Sequence, residues 1–178
     1  MLHDGKRITN SMESVITTER LTLRQFKAED CIQLHRIFAD AEVMRFWSTL
    51  PHQKMSETEE FVRKTIEANE KGTSDDFVVV YNGEVIGKAG LWNGTEIGFL
   101  FARIVWGKGL ASEAVQAVIT RAAKKGHTKV LADVDPRNER CIQLLKKNGF
   151  VETGKAKNSL CVAGTWVDSI YFEADLKK

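Results

Sequence analysis

Between residues 77 and 124 the spacing of apolar side chains changes once, from a period of two to a period of 3.6, with a glycine-rich turn at the change. A chain that switches period in this way folds neither as a pure helical bundle nor as a pure sheet. Ahead of the switch, residues 77–81 and 84–91 flank Asn82-Gly83, a pair that accepts the positive φ of a two-residue hairpin turn. Residues 95–101 follow Asn93-Gly94 as a third antiparallel strand. After the switch, Leu110, Ala114, Val118 and Ala122 make one helical row and Ala111, Val115 and Ile119 its neighbour. Glu113, Gln116, Thr120 and Lys124 occupy the polar face, and Gly126 stands where a left-handed helix end belongs. Lys129–Val134 then reads as a strand, so the unit is a right-handed crossover whose two strands run parallel.

The flanking segments extend this plan. Residues 20–26 alternate as a half-buried strand, and residues 30–40 carry Ile32, Leu34, Ile37 and Phe38 at helical spacing. Ser56 to Glu59 reads as a capping box ahead of Phe61, Val62 and Ile66. Residues 138–148 form a helix with Ile142, Leu144 and Leu145 inward, closed by Gly149, and residues 150–153 and 168–176 form a last antiparallel pair around Gly164. The fold class is α+β: a mixed, mostly antiparallel sheet of about seven strands flanked by about four helices. One domain is expected over residues 15–178, and the polar leader 1–14 is expected to be disordered.

Composition narrows the functional classes. The 178 residues are 43% hydrophobic and 28% charged, and the net charge is +2 with no run of five basic residues, so nothing demands a nucleic-acid partner. No stretch of apolar residues has the length of a membrane span. Cys31, Cys141 and Cys161 are odd in number and far apart, which predicts reduced thiols in a cytoplasmic protein and no metal site.

The turn at the change of period is the segment with chemistry. Gly107 and Gly109 allow close backbone approach, the first N–H groups of the helix lack partners, and Lys108 adds a mobile positive charge, so a phosphate fits. A helix start without a ligand satisfies the same Gly-x-Gly. A P-loop is excluded because Gly109, not Ser or Thr, follows Lys108, and a dinucleotide fingerprint would need a Gly or Ala at Ser112.

Trp106-Gly-Lys-Gly-Leu-Ala111 resembles the coenzyme A pyrophosphate loop, Q/R-x-x-G-x-G/A, of the GNAT N-acetyltransferases, with Trp106 at the Gln/Arg position. That departure looks like the RimJ/RimL branch of ribosomal-protein N-terminal acetyltransferases, where W-G-x-G-x-A-x-E-A recurs. Further family-like stretches stand in order at Thr18-Glu-Arg-Leu-Thr-Leu-Arg24, Asp40-Ala-Glu-Val-Met-Arg45, Glu96-Ile-Gly-Phe99 and residues 138–150, and the resemblance spans residues 17–175.

This resemblance implies that acetyl-CoA is the co-substrate, without a metal. The backbone of Trp106, Gly107, Lys108, Gly109, Leu110 and Ala111 would hold its pyrophosphate, Leu100 and Phe101 would pair with its pantetheine arm, and Asn138 would contact it across the cleft. The implied reaction is direct attack of a primary amine on the thioester by a monomer or homodimer. Glu96 is the candidate base, its rival role being a solvated strand residue paired with a lysine. Many members carry a Tyr seven residues after the Asn; here Leu145 stands there, and Cys141 is the candidate donor to the leaving thiolate, or a packed helical thiol. Glu42, with Asp40, and Glu113 are candidates for binding the acceptor; Glu113 could equally orient a loop. Phe46, Trp47 and Trp92 would wall the acceptor pocket or pack in the core. An α-amine of pKa near 8 is about 10% neutral at pH 7, against about 0.04% for a lysine-like amine, so an N-terminal substrate asks least of a base. A small amine such as a polyamine, amino sugar or amino-acid derivative, and a non-catalytic acyl-CoA-binding module, are the alternatives.

Overall fold

The structure is a computed structural model that describes residues 14–177. In chain order its elements are β1 (Val15–Thr17), β2 (Leu21–Arg24), α1 (Cys31–Phe38), α2 (Met55–Glu70), β3 (Asp75–Tyr81), β4 (Glu84–Trp92), β5 (Glu96–Phe101), α3 (Leu110–Lys124), β6 (Lys129–Val134), α4 (Glu139–Lys147), β7 (Val151–Val162) and β8 (Thr165–Asp175). One sheet of eight strands, in the order β1-β2-β3-β4-β5-β6-β8-β7, is antiparallel at every pairing except β5 with β6. The expected class is therefore correct, with one strand more than anticipated. The leader lies outside the described residues except for Ser14.

The hairpin signals behave as their chemistry requires. Asn82 and Gly83 take φ of 49° and 81°, and Asn93 and Gly94 take 53° and 83°, so both pairs turn the chain tightly enough for β3, β4 and β5 to form a meander. Helices cover both faces. Phe77, Leu91, Ala114, Val115, Val130 and Phe172 belong to the core under α3, while Leu34, Phe38, Val62, Val78 and Leu100 belong to the core under α1 and α2. Successive residues of β3 thus feed opposite cores, which explains why that strand reads as a continuous apolar run.

Three local expectations shift. The short β1 carries no sequence signal because residues 15–17 are too few to show a period; its register with β2 supplies what the sequence lacks. The start of α2 is not the box of Ser56 and Glu59: the helix begins at Met55, and the Glu57 carboxylate accepts the Gln53 and Lys54 N–H groups at 2.6 and 2.7 Å. The last hairpin is longer than expected, because most of β7 is solvent-exposed and carries no apolar alternation to read. In α4 only Leu145 is fully buried, Ile142 and Leu144 being half-buried.

Beneath α2 lies a buried ion pair. Lys88 Nζ stands 2.6 Å from Asp76 Oδ2, with the two side chains 3% and 4% exposed. Asn69 at the end of α2 clamps the same place: its Oδ1 accepts the Asp76 N–H at 3.0 Å and its NH2 donates to the Asp76 carbonyl at 2.8 Å. Gly90 is opposite, where a Cβ would come within 2.4 Å of Asp76 Cα, so no larger residue fits without parting the strands. Burial pushes the Asp76 carboxyl upward, and the Lys88 ammonium opposes that shift.

Lys88→Met should leave the carboxylate buried and alone, lowering the unfolding free energy by about 3–5 kcal/mol in urea titrations near neutral pH. The deficit should shrink on acidification, because the orphaned carboxyl takes up its proton in the folded chain at higher pH than in the unfolded one. A neutral substitution would show that the pair contributes no more than a surface contact.

Candidate active site

The crossover through α3 brings β5 and β6 together at one ladder pair, Glu96 with Leu131, where the Leu131 N–H donates to the Thr95 carbonyl at 2.9 Å. Beyond it the strands part. Strand geometry points backbone groups of alternate residues to the same side, so Ile97, Phe99 and Phe101 face the opening while Leu100, paired with Lys88, faces β4. Of the two residues expected to meet an extended arm, Leu100 therefore turns its backbone to β4, and Phe101 turns its backbone to the opening. The Phe101 carbonyl is already taken by the Trp106 indole N–H at 2.9 Å.

A cleft of about 990 Å³ fills the opening. Its floor is residues 97–101, its far wall the end of β6 and the start of α4, and its near wall residues 42–47 of the segment between α1 and α2. Trp106, Gly107, Gly109 and Ala111 close one end. Gly107 and Gly109 hold φ of 74° and 76°, with Gly109 as the N-cap of α3. A Cβ at Gly107 would meet nothing within 4 Å, so the requirement there is left-handed backbone and not space. Among the described residues, none of the N–H groups of residues 107–112 has a hydrogen-bond acceptor. These donors crown the positive end of a 15-residue helix. Leu110 anchors the turn at 1% exposure, Lys108 is exposed, and the Arg140 guanidinium stacks 4.7 Å over the Trp106 ring.

Glu96 begins β5, half-buried at the point where the strands part. Burial raises its carboxyl above the usual range, a Trp92 side-chain hydrogen bond opposes this, and the nearby Asp133 charge adds to it. Asn138 Oδ1 accepts the Cys141 N–H at 3.2 Å and so caps α4, while its NH2 has no acceptor among the described residues and its side chain borders the cleft. Cys141 borders the cleft too, and burial pushes its thiol up to about 12. This corrects the acid role anticipated for it: giving a proton from such a thiol to a thiolate of ordinary basicity is uphill by about 5 kcal/mol. What remains is an S–H hydrogen-bond donor.

The acidic candidates separate. Glu42 lines the near wall, exposed and 3.7 Å from Arg45. Asp40 is engaged with Arg103 at 2.6 Å and with the Glu42 N–H at 3.0 Å, which orders the turn that carries that wall. Glu113 is outside the cleft altogether, and the placement of its carboxylate against Thr18 and Arg20 removes it as an acceptor-binding group. Of the aromatic candidates, Phe46 and Trp47 border the cleft and Trp92 is about half exposed beside Gly98. Asp133, Arg137 and Arg140 also border the cleft, although nothing in their sequence spacing marks a site. Among the described residues no three His, Cys, Asp or Glu side chains converge as a metal site would need, and no helix is long and apolar enough to cross a membrane.

A family model described as an acetyltransferase (GNAT) domain matches residues 20–151. The chain is 31% identical over 170 residues to the uncharacterized N-acetyltransferase p20 of Bacillus licheniformis, covering 90% of this chain and 95% of that protein. It is 29% identical over 162 residues to spermidine N(1)-acetyltransferase of Escherichia coli (strain K12), covering 83% and 82% respectively. The crystal structure of ribosomal-protein-S5-alanine acetyltransferase from Vibrio fischeri superposes with a TM-score of 0.81 at 22% identity, over 93% of this chain and 98% of that one.

Brief treatment with iodoacetamide near neutral pH should label the exposed Cys161 and spare Cys141, whose thiolate is scarce, and the buried Cys31. Peptide mass mapping reads the order; labelling of Cys141 as fast as Cys161 would overturn the assigned protonation state.

Proposed function

The chain belongs to the GNAT acetyltransferase family, and from that membership we propose that it transfers the acetyl group of acetyl-CoA to the N-terminal α-amine of a protein or peptide. The observation that carries the cofactor side is the row of unpartnered N–H groups at residues 107–112, on a turn whose Gly107, Gly109, Ala111 and Ser112 border the cleft between β5 and β6. A diphosphate satisfies those donors, and an extended amide arm laid along Phe99 and Phe101 satisfies the parted edge of β5. The Asn138 NH2 then has an acceptor on the same arm.

The chemistry follows from this placement. The neutral amine nitrogen attacks the thioester carbon, and the developing oxyanion is met by the Phe99 N–H directed into the gap. The C–S bond then breaks, the amide forms, and the nitrogen gives its extra proton to Glu96, directly or through water. Solvent protonates the departing thiolate, with the Cys141 S–H offering a hydrogen bond. The α-amine is favoured as acceptor because its neutral fraction near pH 7 exceeds that of a lysine-like amine by more than two orders of magnitude. A second reading, acetylation of a polyamine, is favoured by the similarity to a spermidine acetyltransferase across most of both chains.

Thiol release from acetyl-CoA, followed with peptides bearing free N-termini and with spermidine, should show the larger kcat/KM for the peptides and no turnover when the N-terminus is blocked. Preference for spermidine would replace the peptide reading, and tight coenzyme A binding without turnover of any acceptor would make the chain a binding module. Wild-type kcat/KM should fall as pH drops through a group titrating above the usual carboxylate range, since Glu96 works only when ionised. Glu96→Gln should lower the rate near pH 7 about tenfold and make the acid limb shallower, leaving only the fall that protonation of the amine itself imposes. An unchanged profile would exclude Glu96 as the base.

A further inference from the structure

We propose that Arg20 and Glu113 form a latch behind the 106–111 turn that holds its amide groups toward the cleft, making both residues positioning elements for the diphosphate of the acyl donor; this rests on the reading of that turn given above. Two segments far apart in the chain meet there. The Glu113 carboxylate accepts the Thr18 hydroxyl at 2.6 Å and the Arg20 N–H at 2.8 Å on one oxygen, and Arg20 Nε at 2.7 Å on the other. The same guanidinium then donates through Nη1 to the Lys108 carbonyl at 2.9 Å. Carboxylate, guanidinium and carbonyl therefore form one continuous chain from the first turn of α3 to the middle of the loop.

The consequence for the loop follows from peptide geometry. In a planar trans peptide the carbonyl of one residue and the N–H of the next point to opposite sides. Fixing the Lys108 carbonyl on Arg20, which lies outside the cleft, therefore turns the Gly109 N–H the other way, toward the cleft that Gly109 borders. Gly109 adds to the fit, since a Cβ there would lie 3.5 Å from Arg20 Nη2 and the guanidinium can rest against bare backbone. Without the latch, a loop with two left-handed glycines and an exposed lysine has many other arrangements to visit, and the anion would have to order it on binding. Arg20 is two-fifths exposed, so the pair contributes little to global stability by itself. Its effect belongs to the loop.

The test compares two donors, acetyl-CoA and S-acetylpantetheine, which carries the thioester and amide arm but no diphosphate. Arg20→Lys keeps the charge but lacks the planar fork that spans two acceptors, and Glu113→Gln keeps the shape while losing the ionic partner. Each should raise KM for acetyl-CoA about tenfold while kcat, and KM for S-acetylpantetheine, stay within about twofold. The double variant should be no worse than either single one, because both break one chain of bonds. Thr18→Val, which removes one bond to the same carboxylate along with the hydroxyl's bonds to the Leu21 backbone, should give a smaller change in the same direction and serves if a charged-residue variant fails to fold. Equal losses on both donors, or an unchanged acetyl-CoA KM, would overturn the latch. If the wild-type protein shows no preference for acetyl-CoA over S-acetylpantetheine, the diphosphate site itself is wrong and the latch falls with it.

Discussion

Two parallel strands that share a single ladder pair leave a problem that the rest of the molecule is arranged around. Backbone N–H and C=O groups need partners, and along β5 beyond Glu96 those on one side have lost theirs. The meander of β3, β4 and β5 makes the loss tolerable, because it holds the other side of β5 through six consecutive register positions with β4. The crossover helix makes the loss useful, since its N-terminus opens at the end of the same strand and adds donors of its own. An extended acyl carrier with a diphosphate at one end answers both demands at once.

The walls of that opening are held by charges that do no chemistry. The Lys88 and Asp76 pair, with Asn69 and the bare backbone of Gly90, locks β3, β4 and the end of α2 together. Arg103 and Asp40 fix the turn that presents residues 42–47. Glu113 and Arg20 do the same for the loop at the other end. Each contact joins residues from separate segments, so the cleft keeps its shape through tertiary bonds and not through the stiffness of any one loop. On the function proposed above, the catalytic demand left over is small: one carboxylate near a gap that aligns the thioester.

Much of the fold was legible in the sequence, and the legible parts share a cause. Asn82-Gly83 and Asn93-Gly94 demand positive φ whatever surrounds them, and the rows of α3 repeat over four turns, long enough for a helical period to be unambiguous. The turn at residues 106–111 was legible for the same reason, because left-handed backbone at Gly107 and Gly109 leaves few residue choices. Signals failed where they were short or one-sided. The three residues of β1 show no period, most of β7 faces solvent, and α2 takes its cap from Glu57 because the helix starts one residue ahead of the hydroxyl that looked like its cap.

Site roles were less legible than site positions. Local chemistry specified the turn types, the period of each element and the helix start that carries free amides, since those depend on a residue and its near neighbours. Only the tertiary structure decided that Leu100 faces β4 while Phe99 faces the gap, that burial makes Cys141 too weak an acid, and that Glu113 serves the loop from behind. The reason is physical: strand register, desolvation and ion pairing depend on groups distant in the chain, and no spacing within one segment records which of them will meet.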